Sequence, residues 1–327
     1  MTRVDSFPSP TAINICFAHV AYQMAARFEA RGRDLAHTQT WTRDEMVAAL
    51  PGADVLVVSG LWRNDALEHA PRLWYVQSIG AGYNQFDLDA LRARGIRFAN
   101  ASGVNRAAVS EHAIALMLAL SRQLHSGRDN QRRHIWRQMI SDIPSREDEL
   151  AGRTLGIVGL GSIGSRLARL AKAFEMRVIA TRRDAAKGGE HADRVLPMSK
   201  LPTLLAEADF VVLTCPLTDE TRNLIDAVAL ARMRPSAYLV NVARGACVDE
   251  AALLEALRGR RIAGAALDTF VEEPLPAESP FWDLDNALIT PHTAGETQKY
   301  EENVIDILLE NLDRLWRGEP RLFNQIV

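Results

Sequence analysis

Three polar residues in the second half of the chain, Arg244, Glu273 and His292, follow the apolar runs "AYLVNVA", "IAGAALDTFVE" and "ALITP". In an open parallel sheet the carboxyl ends of the strands share one edge, beside the crevice where ligands bind, so residues distant in sequence can converge there. A histidine can donate a proton, a carboxylate bonded to it favours its charged form, and an arginine can hold a carboxylate and polarise a carbonyl. Together these are the parts needed to reduce a 2-oxo acid, whose growing oxyanion requires a proton and nearby positive charge. Taken singly, each has a plainer reading: a surface arginine, a carboxylate before Pro274, a loop histidine.

A hydride donor for that chemistry is suggested by "GLGSIG", which places Gly159, Gly161 and Gly164 in G-x-G-x-x-G spacing between a strand-like and a helix-like run. The first glycine permits a tight turn, the second lets backbone approach a pyrophosphate, and the third allows close packing of helix on strand. The helix N-terminus then faces the anion. The next strand-like run ends in "VIATRRD", and Arg182 lies eighteen residues after Gly164, where an acid would bind the ribose 2′-hydroxyl of NAD. An acid there repels a 2′-phosphate, whereas Arg182 and Arg183 can pair with one, so the local chemistry favours NADP. The alternative is NAD, with the arginines solvated and Asp184 the displaced acid.

The elements that position these residues form two strand series. "INICFAH", "DVLVVSG", "LWYVQSIG" and "IRFANASG" predict buried parallel strands in a first α/β domain. "AAVSEHAIALMLALSR" is a long apolar helix that begins a second domain, where "TLGIVGL", "RVIAT", "RVLPM", "DFVVLTC", "AYLVNVA", "IAGAALD" and "ALIT" alternate with helical segments. Such alternation predicts a doubly wound parallel sheet. The last helix, "QKYEENVIDILLENLDRLWRG", has apolar residues at helical spacing and is expected to pack back on the first domain. Residues 126–150 are polar, with Trp136 and Met139 as scattered apolar anchors, and read either as a solvated loop with one helix or as a partner contact.

With 327 residues, two domains are expected. Hydrophobic residues make up 47%, charged residues 24%, and the formal net charge is −3, so nothing global suggests a nucleic-acid or membrane partner. No run approaches the length of a membrane helix, and "MTRVDSFPSPTAINICF" lacks the features of a secretory leader, so a cytoplasmic protein is expected. Cys16, Cys215 and Cys247 show no metal-ligand spacing, so reduced thiols and no metal are expected.

From about Leu73 to Gly295 the chain resembles the D-isomer-specific 2-hydroxyacid dehydrogenase family, most specifically in "LAGRTLGIVGLGSIG", "PLTDETRNLID", "MRPSAYLVNVARGACVDEAALLEAL", "LDTFVEEPLP" and "NALITPHTAG". The resemblance implies a Rossmann-type domain, residues 105–292, inserted into a smaller flavodoxin-like substrate domain of residues 1–104 and 293–327, with a cleft between them. It implies the catalytic roles at Arg244, Glu273 and His292. Cofactor contacts are implied at Gly159, Gly161, Ser162, Ile163 and Gly164, at Thr181, Arg182 and Arg183, and along Cys215, Pro216 and Thr221. Asp268 would contact the nicotinamide side, with Ala243, His292 and Gly295 among the remaining contacts. The backbone of Gly80, Ala81 and Gly82, with Arg244, would receive the substrate carboxylate; a simple turn after "LWYVQSI" is the plainer reading of those glycines, and both can hold. The long helix and the arm after it commonly build a twofold dimer in this family, which favours the partner reading of Trp136.

Two departures from the family pattern stand out. Glu175 occupies a position that often carries glycine, so a different turn is expected there, and "MISDIPSREDE" is unlike the commoner arms. The Glu273 and His292 pairing argues against the formate-oxidising branch, where glutamine partners the histidine. The length leaves no expectation of the extra regulatory domain found in many phosphoglycerate dehydrogenases. With NADP favoured, glyoxylate or hydroxypyruvate is the preferred substrate, another 2-hydroxy acid with NAD the alternative. A dinucleotide-sensing regulator of the same fold is the competing class, although a sensor does not require a proton donor. "GLWRND" can place Trp62 or Arg63 at the substrate mouth, but packing or exposure explains them equally well.

Overall fold

The computed structural model describes residues 6–83 and 85–327; residues 1–5, the start of the segment read above as lacking a leader, lie outside the described residues. The chain divides into two compact units. One takes the described residues through Asn105 together with Thr297–Val327, and the other is Arg106–Glu296, inserted between those two segments.

In the first unit, β1 (Asn14–Ala18), β2 (Ala36–Thr40), β3 (Val55–Val58), β4 (Tyr75–Ser78) and β5 (Arg97–Ala99) form a parallel sheet in the order β2-β1-β3-β4-β5. That is the flavodoxin-like order. Successive side chains of a strand point to opposite faces. Ile15, Phe17, Val55 and Val57 therefore pack with Val304, Ile305, Leu308 and Leu312 of the helix Tyr300–Trp316. Cys16, Leu56, Val58 and Val76 serve a second core with Trp62, Leu73 and Phe86. Because both faces are covered, β1 and β3 read as continuous apolar runs, whereas the edge strand β2, AHTQT, is half-exposed and polar and is not among the strands expected from the sequence. Trp62 is 1% exposed, its ring centroid lies 5.1 Å from that of Phe86, and its indole N–H donates to Asn64 Oδ1 at 2.9 Å. Packing thus explains this tryptophan, while Arg63 donates to the carbonyls of Gly60 and Trp62.

The second unit adds β6 (Thr154–Val158), β7 (Arg177–Thr181), β8 (Arg194–Leu196), β9 (Phe210–Leu213), β10 (Tyr238–Asn241), β11 (Gly264–Leu267) and β12 (Ala287–Ile289). They form a parallel seven-stranded sheet in the order β12-β11-β10-β9-β6-β7-β8. Read from β8, this is the doubly wound Rossmann order with a further strand, and its direction reverses between β6 and β9. The helix Arg106–Ser121 buries Val109, Ala113, Leu116, Met117 and Leu120 in the same cluster as Leu155, Ile157 and Val212. Among the described residues, no helix is long and apolar enough to cross a membrane.

At Glu175 the expected departure does not occur. The helix Ser162–Ala173 ends with Glu175 at φ +58°, Glu175 N–H bonding to Lys172 O and Met176 N–H to Ala171 O, the paired bonds of a glycine-type helix stop. Glutamate takes up the backbone that glycine adopts freely, at a conformational cost of about 1 kcal/mol.

Candidate active site

The end of β12 turns around one buried carboxylate. Asp268, 1% exposed, follows β11. Its Oδ1 accepts from the Thr290 hydroxyl at 2.6 Å and from Thr293 N–H at 3.0 Å, and its Oδ2 accepts from Ala294 N–H at 3.1 Å. The Asp268 carbonyl accepts from His292 N–H at 2.8 Å. His292 sits at φ +54°, a left-handed conformation that costs a non-glycine residue about 1 kcal/mol. The bonds on either side of it hold that conformation in place.

His292 Nδ1 lies 2.6 Å from Glu273 Oε2. A carboxylate accepts, so the hydrogen of this bond is on Nδ1, and Nε2 is the nitrogen left for chemistry. The other Glu273 oxygen, Oε1, accepts Phe270 N–H at 2.9 Å, so the carboxylate is anchored to its own turn. Beside it, Glu250 Oε1 accepts Val271 N–H at 2.7 Å. Burial, reinforced by the Glu273 charge, raises the Glu250 pKa above its ordinary value.

Arg244 follows β10 and is exposed. Its backbone carbonyl accepts from Asn241 Nδ2 at 2.9 Å, and its Nη1 donates to the Ala243 carbonyl at 2.7 Å. Ala243 N–H in turn bonds to Asn241 Oδ1 at 3.0 Å. The next residue, Gly245, presses against another backbone: a Cβ there would overlap the Phe270 carbonyl carbon and oxygen and the Val271 nitrogen. The arginine turn and the turn that carries Glu273 are thus in direct main-chain contact.

After β6, Gly159 has φ +101°, and a Cβ on it would lie 2.8 Å from the backbone N and Cα of Cys215. Gly164 packs as tightly, its Cβ position lying 2.5 Å from the Gly159 carbonyl oxygen. Ser162 and Ile163 open the helix Ser162–Ala173, and its N-cap, Gly161, supplies no side-chain cap. Thr181 ends β7; its carbonyl accepts from Gly159 and Leu160 N–H, and its buried hydroxyl has no partner among the described residues. Arg182 Nη1 donates to Gly188 O at 2.9 Å, which uses one of five guanidinium donors. A cavity of about 220 Å³ beside it is lined by Leu160, Ser165, Arg182, Lys187, Gly189 and His191 among others. Arg183 is exposed and lies outside that lining. Cys215 is buried, Pro216 is exposed, and the Thr221 hydroxyl donates to Pro216 O at 2.7 Å while accepting Thr218 N–H at 2.7 Å. Gly295 is half-buried, directly after Ala294.

In the first unit, Gly80, Ala81 and Gly82 follow β4. The Gly80 carbonyl accepts from Ser78 Oγ at 3.1 Å and Ala101 N–H at 3.0 Å, and the Ala81 carbonyl accepts from Asn100 Nδ2 at 2.7 Å.

Residues 114–294 match the family described as D-isomer specific 2-hydroxyacid dehydrogenase, NAD binding domain. The chain is 39% identical to the glyoxylate reductase of Pyrococcus furiosus over 298 residues, covering 87% of this chain and 86% of that one. This chain belongs to the D-isomer specific 2-hydroxyacid dehydrogenase family. It is also 37% identical to the D-3-phosphoglycerate dehydrogenase of Mycobacterium bovis over 280 residues, 85% of this chain but 52% of the relative, so it spans about half the length of that protein. A D-isomer specific 2-hydroxyacid dehydrogenase family protein from Aeromonas salmonicida superposes with a TM-score of 0.84 at 29% identity, covering 97% of this chain and 99% of that one.

A dinucleotide of the kind this family binds fits the turn after β6. A Cβ on Gly161 meets nothing within 4 Å, so space lies open in front of the turn. The first N–H groups of a helix have no intrahelical acceptor and favour an anion there. The unpartnered Thr181 hydroxyl, at the end of the next strand, is a further polar group without a protein ligand.

The sequence marks Asp268 as a cofactor contact but gives no sign that it is the centre of the His292 turn. Thr290, Gly245 and Glu250 were missed altogether. Gly245 carries one local signal, its place directly after Arg244, where a glycine permits backbone to approach closely. Thr290 and Glu250 carry none, since their partners are distant in sequence.

Proposed function

We propose that this chain is a 2-oxo acid reductase that makes D-2-hydroxy acids, with glyoxylate or hydroxypyruvate as substrate and NADPH as preferred reductant. The observation that carries the reading is the 2.6 Å bond between His292 and Glu273, on a turn locked around Asp268. The dinucleotide, when bound, supplies the hydride. His292 gives the proton on Nε2 to the developing alkoxide, while Glu273 keeps the Nδ1 proton and balances the ring's charge. Arg244, with its backbone fixed by Asn241, holds the substrate carboxylate and stabilises the oxyanion. Gly159, Gly161, Ser162, Ile163 and Gly164 hold the pyrophosphate; Cys215, Pro216, Thr221, Ala243, Asp268 and Gly295 complete the cofactor contacts.

The preference for NADPH rests on Arg182, Lys187 and His191 around one cavity next to the end of β7. Replacing Arg182 and Arg183 with glutamine is expected to raise the KM for NADPH by about 10²-fold, because charge-assisted bonds to a phosphate are lost, and to change the KM for NADH by less than about threefold. Assays of this double variant and the unsubstituted protein with glyoxylate, hydroxypyruvate and pyruvate, each with NADH and NADPH, test substrate and cofactor together. Equal losses for the two cofactors would count against the 2′-phosphate role. Tight NADPH binding without turnover of any 2-oxo acid would favour the regulator.

The same reading includes a homodimer formed through the segment after Ser121. Trp136 is 91% exposed and Met139 98%, with Leu124 and Ile143 also open to solvent, a density of apolar side chains that suits a partner surface. Sedimentation is expected to give twice the chain mass, falling to one chain mass for Trp136→Asp with Met139→Asp. A monomeric unsubstituted protein would remove the dimer from the reading.

A further inference from the structure

His112 interrupts the apolar helix Arg106–Ser121, with its side chain 24% exposed. Its Nε2 lies 3.1 Å from Thr290 Oγ1 and 3.6 Å from Asp268 Oδ1. The direction of the bonds follows from chemistry. The Asp268 carboxylate already accepts two backbone N–H groups, and the Thr290 hydroxyl donates to it at 2.6 Å, which uses the only hydroxyl hydrogen. Thr290 Oγ1 can offer His112 only a lone pair. His112 is therefore the donor, with a hydrogen on Nε2.

Thr290 is where β12 gives way to the turn. Its N–H bonds to Leu267 O at 3.0 Å and its carbonyl accepts His292 N–H at 3.0 Å. We propose that His112 is a positioning residue for His292: it fixes the Thr290 side chain against Asp268, and so holds the turn that keeps His292 left-handed and within 2.6 Å of Glu273. This rests on the reading of His292 as proton donor. The helix thereby contributes to the geometry of the acid without touching substrate.

The test uses the full chain and three variants: His112→Leu, which removes the donor; His112→Gln, which returns an N–H near the Nε2 position; and Thr290→Val, which removes the bridging oxygen. Hydrogen exchange of the cofactor-free protein reads the turn directly. In His112→Leu the amides of Thr293 and Ala294 are expected to exchange about tenfold faster, since the turn opens more often. The kcat for 2-oxo acid reduction is expected to fall about tenfold with KM for the cofactor within about twofold, a loss of alignment rather than of binding. His112→Gln is expected to recover most of both, and His112→Leu combined with Thr290→Val to be no worse than the more impaired single variant. Unchanged exchange across 290–296 in His112→Leu would overturn the proposal, as would a glutamine variant as impaired as the leucine one beside an unaffected Thr290→Val. Absence of turnover in the unsubstituted protein counts against the proposed reaction, and the exchange measurement then still decides the role of His112 in the turn.

Discussion

Replacing His292 with alanine is expected to lower kcat for 2-oxo acid reduction by about 10³-fold, within the range that a positioned general acid contributes. Hydride addition leaves an alkoxide, and without a proton it stays far above the product in energy. Nε2 of His292 is the nitrogen not engaged by Glu273, and the Glu273 carboxylate is itself tied to Phe270 N–H at 2.9 Å, so the pair is held before substrate arrives. Truncation removes an interaction that acts mainly in the transition state, so cofactor affinity is expected to remain within a few-fold of the original. Fluorescence titration of NADPH and steady-state kinetics on the same preparation separate the two effects. A kcat within about tenfold of the unsubstituted protein would assign the proton to another group, because that falls below what general acid catalysis supplies.

Much of the architecture was legible because it rests on local pattern. "DVLVVSG" is apolar on both faces, as a strand covered on both sides requires, and the glycine spacing of "GLGSIG" sits where strand gives way to helix. The remainder depends on partners remote in sequence or on backbone that no residue type announces. Glu175 and His292 both adopt positive φ without being glycine. In each case the surrounding hydrogen bonds outweigh the local preference, and those bonds come into view only once the chain is folded. His112 reads as one polar position on an apolar helix, because its partner Thr290 lies 178 residues further on. Trp62 shows the opposite case: substrate mouth, packing and exposure are all open from the sequence, and its burial against Phe86 decides for packing.

At Gly245 a single methyl group is expected to do severe structural damage. A Cβ there overlaps main-chain atoms of Phe270 and Val271, and main chain cannot swing aside as a flexible side-chain end can. Those atoms are fixed in turn: Phe270 N–H bonds to Glu273 and Val271 N–H to Glu250, so moving them strains both carboxylates. On the other side, the Arg244 carbonyl is held by Asn241 at 2.9 Å, which limits retreat of the arginine turn. Gly245→Ala is therefore expected to cost about 3 kcal/mol, the upper end for overpacking, and to lower the Tm by roughly 6–12 °C. The same displacement acts on chemistry. Arg244 moves relative to the turn that carries Glu273, and a shift of about 1 Å in a catalytic group can cost 10²-fold in rate. Calorimetry and kcat measured well below the transition test the two effects separately: the folded fraction of the variant is expected to bind NADPH normally yet turn over about 10²-fold more slowly. A variant with the original Tm and kcat would mean that the two turns have slack, and that Arg244 and Glu273 are positioned independently.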